Sequence, residues 1–188
     1  LQQAGYTNHT VYEKADAAGG TWRENTYPGL SCDVPAHIYC YSFEQNPEWK
    51  STYAKRQEIY DYFDRVSRKY GVYEHTKFGQ EVTSCIYRDG KWHLRTKAGL
   101  EDTVDFVIAA TGVLHHPKVP DIPGLDSFEG QWWHSARWNH DVDLSDKRVG
   151  LIGTGSTATN LVCALSGNVA RLDLYQRTPQ WVMPVEDV

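Results

Sequence analysis

Val149-Gly150-Leu151-Ile152-Gly153-Thr154-Gly155-Ser156-Thr157-Ala158 carries an apolar, strand-like run into a Gly-x-Gly-x-x-Ala turn, and Thr159–Leu165 continues it with a helical pattern. Strand, glycine turn and helix N-terminus follow one another in the order a dinucleotide site needs. Gly153 permits the tight turn, Gly155 lets the backbone approach a pyrophosphate, and Ala158 is small enough for the helix to pack on the strand. The N–H groups and dipole at the helix start favour an anion there. Working outward, the next strand, Ala170–Tyr175, ends at Gln176-Arg177-Thr178. An acid at that strand end would bind a ribose 2′-hydroxyl and favour NAD, whereas Arg177 favours the 2′-phosphate of NADP. The same pieces also fit a tight helix–strand connection with a surface Arg and no ligand.

The composition bounds what such a unit can belong to. With 40% hydrophobic and 23% charged residues, the chain has the balance of a folded globular protein. A net charge of -5 without a dense Lys/Arg block argues against a nucleic-acid partner. The cysteines Cys32, Cys40, Cys85 and Cys163 show no CxxC spacing, which reads as reduced thiols in a cytoplasmic protein and not as a disulfide framework or metal site. No apolar run approaches membrane-spanning length, so no membrane partner is expected. Leu1–Gly5 reads as a helix tail with a glycine stop, and the last residues follow closely on a nucleotide unit that has barely begun. The expectation is a piece of a longer protein.

Earlier in the chain, Thr10–Lys14 reads as a strand ending in an acid. Helix tail, strand and terminal Glu13 make the second half of another nucleotide unit, in which Glu13 accepts hydrogen bonds from a ribose; a surface strand with a solvated Glu13 fits as well. Residues 19–41 show neither helical nor strand period, but carry Gly19-Gly20-Thr21-Trp22, a Tyr27-Pro28-Gly29 turn and Asp33. An irregular aromatic stretch of that length is usually a functional loop. Asp33 could cap a helix or hold a cationic group near a cofactor. Ile59, Tyr62, Phe63, Val66 and Tyr70 recur at three- and four-residue spacing and predict a helix over 57–70 whose apolar stripe is core.

Glu81–Tyr87, an Asp89-Gly90 turn, Trp92–Thr96 and Thr103–Ala109 predict a β-meander inserted beside the main sheet. Ala110-Thr111-Gly112 then offers another place for close backbone approach. Pro117, Pro120 and Pro123 make 114–124 a stiff linker. The aromatic run 128–138, taken alone, reads as linker packing with His134 structural.

Phe128, Gly130, His134 and Trp138 match the pattern Phe-x-Gly-x-x-x-His-x-x-x-Trp. Through it, and through the glycine turns, the chain resembles the type I Baeyer–Villiger monooxygenases of the flavin-containing monooxygenase superfamily. That family usually continues the pattern with Pro or Asp, where this chain has Asn139; nitrogen- and sulfur-oxidising relatives usually carry Tyr or Phe at the place of Trp138. The resemblance spans essentially the whole chain. It implies an α/β fold with two partial dinucleotide-binding domains, Rossmann-like, for FAD and NADP, and a small β-meander insert. The implied domains are 1–113 for FAD, a linker over 114–143 and the start of the NADP domain over 144–188.

The resemblance also places the site. Glu13, Gly20, Thr21, Trp22, Asp33, Tyr39, Val82, Thr111 and Gly112 resemble FAD-contacting positions; Gly153, Thr154, Gly155, Ser156, Thr157, Ala158, Arg177 and Thr178 resemble the NADPH site. Ser31, Cys32 and Asp33 would touch NADP. The implied activity is NADPH- and O2-dependent conversion of a ketone to an ester or lactone through a flavin peroxide, without a metal. Asp33 would be the partner of an active-site Arg expected past Val188, and the FAD fingerprint is expected before Leu1. His134 and Trp138 would couple lobe rotation to nicotinamide placement. A nitrogen- or sulfur-hydroxylating enzyme acting on a thioether, and a non-catalytic dinucleotide-binding fragment, are the competing readings.

Overall fold

The computed structural model describes residues 1–184. Its contacts divide the chain into two compact units, one of residues 1–19 and 62–112, the other of residues 20–61 and 113 onward. Both units are discontinuous in sequence, and residues 20–61 group with the glycine-turn region.

In the second unit, β6 (Arg148–Ile152) and β7 (Arg171–Tyr175) are parallel neighbours paired from Arg148↔Arg171 to Ile152↔Tyr175. Helix α3 (Ser156–Leu165) connects them. It begins at Ser156 and not at Thr159, because Gly155 serves as its N-cap and the glycine turn forms the first helical turn. Ala158, Leu161 and Leu165, at three- and four-residue spacing, form its buried face. Leu161 and Leu165 join Tyr27 in a core that Leu30, Trp138, Leu144, Val149, Leu151, Val169 and Leu172 surround. This unit also holds the short helix α1 (Thr21–Glu24) and two 3-10 turns inside the expected linker, Leu125–Ser127 and Ser135–Arg137.

In the first unit, the opening segment is a 3-10 turn, Gln2–Ala4, stopped by Gly5 in the left-handed conformation. The strand expected over Thr10–Lys14 is only β1 (Val11–Tyr12), parallel to β2 (Thr76–Lys77), a partner with no pattern of its own in the sequence. The meander is β3 (Val82–Arg88), β4 (Lys91–Thr96) and β5 (Glu101–Val104), all antiparallel. Asp89 and Gly90 both take positive φ, as a two-residue hairpin loop matched to strand twist requires. The third strand stops at Val104 instead of Ala109. Residues 106–108 have strand composition, but a strand needs a ladder partner, and no described strand lies beside them; Phe106 is 87% exposed.

Helix α2 (Arg56–Lys69) lies one residue ahead of the predicted 57–70, with Ile59, Tyr62 and Val66 buried, Phe63 half-buried and Tyr70 just past its end.

Candidate functional site

Gly153 has φ +114, a conformation that β-carbon-bearing residues avoid, so its place in the turn is fixed by backbone geometry. Gly155 is different. Its φ of -74 is open to any residue, and a Cβ built on it meets no atom within 4 Å. Neither backbone nor packing requires glycine there. The missing side chain leaves space in front of the α3 N-terminus, where the first N–H groups have no intrahelical acceptor. An open helix N-terminus of this kind suits an anion, and Ala158 is 7% exposed, on the buried face of α3.

Two other segments meet this turn. The Thr154 hydroxyl donates to the carbonyl of Thr178 at 3.3 Å, so the stretch after β7 that carries Arg177 is tied to the glycine turn. The Ser156 hydroxyl donates to Oδ2 of Asp33 at 2.8 Å. Asp33 is therefore not the cap of the turn that follows it, whose N-cap is Pro35; its carboxylate lies at the start of α3. Behind it, the Tyr27 hydroxyl donates to Thr157 Oγ1 at 3.2 Å, and Ser31 and Asn160 exchange two hydrogen bonds. Cys32 is buried, its N–H donates to Ala54, and burial pushes its thiol pKa up, so the side chain is packing and the thiol is kept protonated.

The residues expected around a flavin have these settings. Gly20, at φ +47, is the N-cap of α1, which carries Thr21 and Trp22. The Trp22 indole N–H donates to the Tyr39 hydroxyl at 3.1 Å, with the two rings edge to face. In the other unit, Glu13 accepts the Ala15 N–H at 2.9 Å, Val82 opens β3, and Thr111 and Gly112 lie in irregular chain with Gly112 at φ +71. His134 accepts the Ala136 N–H on Nδ1 and caps the turn Ser135–Arg137, while Trp138 packs on the core and meets Trp133 edge-on. Both residues thus have a visible structural job. Asn160 has no place in the motif, and nothing local in the sequence marks it: its partner Ser31 lies 129 positions away.

A strand, glycine turn, helix and following parallel strand define a dinucleotide-binding α/β fold. The flavin-binding monooxygenase-like family model matches residues 6–186, and the chain belongs to that family. An uncharacterized monooxygenase of Mycobacterium tuberculosis is 53% identical over 174 residues, covering 93% of this chain and 35% of that protein. A Baeyer–Villiger monooxygenase of Streptomyces coelicolor is 47% identical over 189 residues, 100% of this chain and 36% of that protein. Among solved structures, OTEMO in complex with FAD and NADP superposes with a TM-score of 0.89 at 32% identity, over 100% of this chain and 37% of that one. Open cyclohexanone monooxygenase gives 0.86 at 39%, over 95% of this chain and 36% of that one. The chain thus has the flavin monooxygenase fold and spans about a third of the length of the curated relatives it matches. Among the described residues, no helix is long and apolar enough to cross a membrane.

Proposed function

We propose that the protein is an NADPH- and O2-dependent flavin monooxygenase that converts ketones, cyclic ketones first, into esters or lactones. The observation that carries this reading is Gly155, a glycine the fold itself does not need, standing open before the N-terminus of α3 with Arg177 on a stretch tied to the same turn. Likeness to enzymes named for Baeyer–Villiger oxidation and for cyclohexanone supports the choice of reaction and substrate class.

FAD and NADPH, when bound, supply hydride transfer and the activation of O2. The chain's own residues bind and orient. Gly153–Ala158 hold the pyrophosphate with α3 N–H groups, Ser156 among them, and the Thr157 hydroxyl, while the Ser156 hydroxyl stays on Asp33. Arg177 pairs with the 2′-phosphate of NADP, and Thr178 fixes the strand end beside it. Glu13 accepts from a flavin-side ribose, and Gly20, Thr21, Trp22, Tyr39, Val82, Thr111 and Gly112 border FAD. Ser31, Cys32 and Asp33 face NADP, the first two through backbone and the third through a carboxylate that holds a cationic group near the reacting atoms. His134 and Trp138 act through the packing of their segment and not by proton transfer.

Arg177→Ala in the full-length enzyme should raise the KM for NADPH by about 1–3 kcal/mol in RT ln units and leave that for NADH nearly unchanged. Equal losses for both cofactors would remove the phosphate role. A cyclic ketone and a thioether assayed side by side test the reaction: the lactone should form faster than the sulfoxide.

A further inference from the structure

We propose that Asn160 is a positioning residue that holds Asp33 in the site, an inference that rests on the role given to Asp33 above. Asn160 lies one helical turn after Ser156, on the same face of α3. Ser156 holds the Asp33 carboxylate, and Asn160 holds Ser31, two residues earlier in the same loop. The Asn160 amide uses both of its ends: Oδ1 accepts from the Ser31 hydroxyl and Nδ2 donates to the Ser31 carbonyl, each at 3.3 Å. An amide carries its donor and its acceptor on separate atoms, so it can bond the hydroxyl and the carbonyl of one residue together. Asn is also a poor residue for a helix interior, where its side chain competes with the backbone, so its presence on the second turn calls for bonds of this kind.

Gly29 gives independent evidence that the loop is seated on this face. At φ +76, a Cβ on Gly29 would stand 2.6 Å from the Asn160 carbonyl oxygen and 2.9 Å from the Ala164 Cβ. The loop approaches the helix so closely that only glycine fits. On the far side, the Cys32 N–H donates to Ala54 and the Arg56 N–H to Leu30, so the loop is held from two directions. The Ser156–Asp33 bond by itself joins two exposed groups, which compete with water. The Asn160 clamp, half-buried two residues away, limits where Asp33 can go.

The test is a double-mutant cycle of Asp33→Ala and Asn160→Ala in the full-length, FAD-loaded enzyme. It reads ketone product formed per NADPH consumed, and the Kd for NADP+ from flavin fluorescence. Alanine favours a helix, so Asn160→Ala should fold. The expected result is a fall of about fivefold in product per NADPH for Asn160→Ala, a Kd shift in the same direction as for Asp33→Ala, and a double variant no worse than Asp33→Ala alone. Ser31→Ala, which keeps the Nδ2 bond, should show a smaller effect in the same direction. Effects that multiply in the double variant, or an Asn160→Ala enzyme that behaves as wild type beside a damaged Asp33→Ala enzyme, would overturn the inference and leave the role of Asp33 standing. A silent Asp33→Ala would remove both.

Discussion

The β6–α3–β7 segment and the β1–β2 pair are both parallel strand pairs ending near a residue suited to a nucleotide, yet they are held together in different ways. β6 and β7 pair over five positions, and α3 covers them with Ala158, Leu161 and Leu165. β1 and β2 pair over two positions. Around them the unit is fastened by polar bonds: the Tyr12 hydroxyl donates to Asp102 of β5, the Tyr73 hydroxyl to Asp64 of α2, and the Ala18 N–H to the Tyr73 oxygen. A crossover helix gives its strand pair an apolar core and a rigid glycine turn. A short strand pair is fixed by tyrosine–carboxylate contacts, and its terminal Glu13 spends one oxygen on its own Ala15 N–H. The difference teaches that the glycine turn is preorganised by packing, whereas the short strand pair and its Glu13 are placed by hydrogen bonds.

Four measurements can break or sharpen that contrast. Leu161 is 1% exposed, so Leu161→Ala should cost about 2–5 kcal/mol of unfolding free energy in a denaturant titration of the full-length protein. A small loss would mean that the apolar core does not hold this unit. Glu13→Ala should weaken FAD retention by about 1.5–3 kcal/mol, read from flavin release on dilution, because a charged acceptor is lost. Gly155→Ala meets no atom in the fold, so its melting temperature should barely move while NADP+ affinity falls on the order of tenfold. If stability falls and affinity does not, the glycine serves the fold.

The smallest effect tests the polar fastening. Burial first, and the bond to Asp102 second, push the Tyr12 pKa up from 10.0 to about 12. Its protonated form is favoured in the fold, so this contribution is fully present below pH 10 and is lost as pH rises through about 12. Tyr12→Phe should remove one late-titrating phenol from the ultraviolet tyrosinate curve and flatten the alkaline fall in stability over that window. Asp64 has the opposite sign: the Arg68 bond lowers its pKa, so its contribution holds above the usual carboxylate range and is lost as pH falls through the depressed value.

Much of the fold was legible in local sequence. The glycine turn, the apolar stripe of α2 and the Asp89-Gly90 hairpin each rest on residues next to one another or at a fixed period, and each stands in the structure where its pattern puts it. The strand ends were less legible. Thr103–Ala109 has the composition of a strand, but its extent depends on a neighbour to pair with, and β5 ends at Val104. The site was legible in part. Arg177 is readable because it follows a strand in a known unit. Asp33 is one of two acids, with Glu24, in residues 19–41, but its partner Ser156 lies 123 residues on.

The sequence by itself determined the strand–turn–helix unit, because a glycine at positive φ and a small packing residue are properties of consecutive residues. Only the tertiary structure decided which loop lies on that helix. Gly29 against Asn160, Ser31 clamped by the same amide and Asp33 on Ser156 are contacts that no local period encodes; they form because the Tyr27–Leu161–Leu165 core brings distant segments to one helix face.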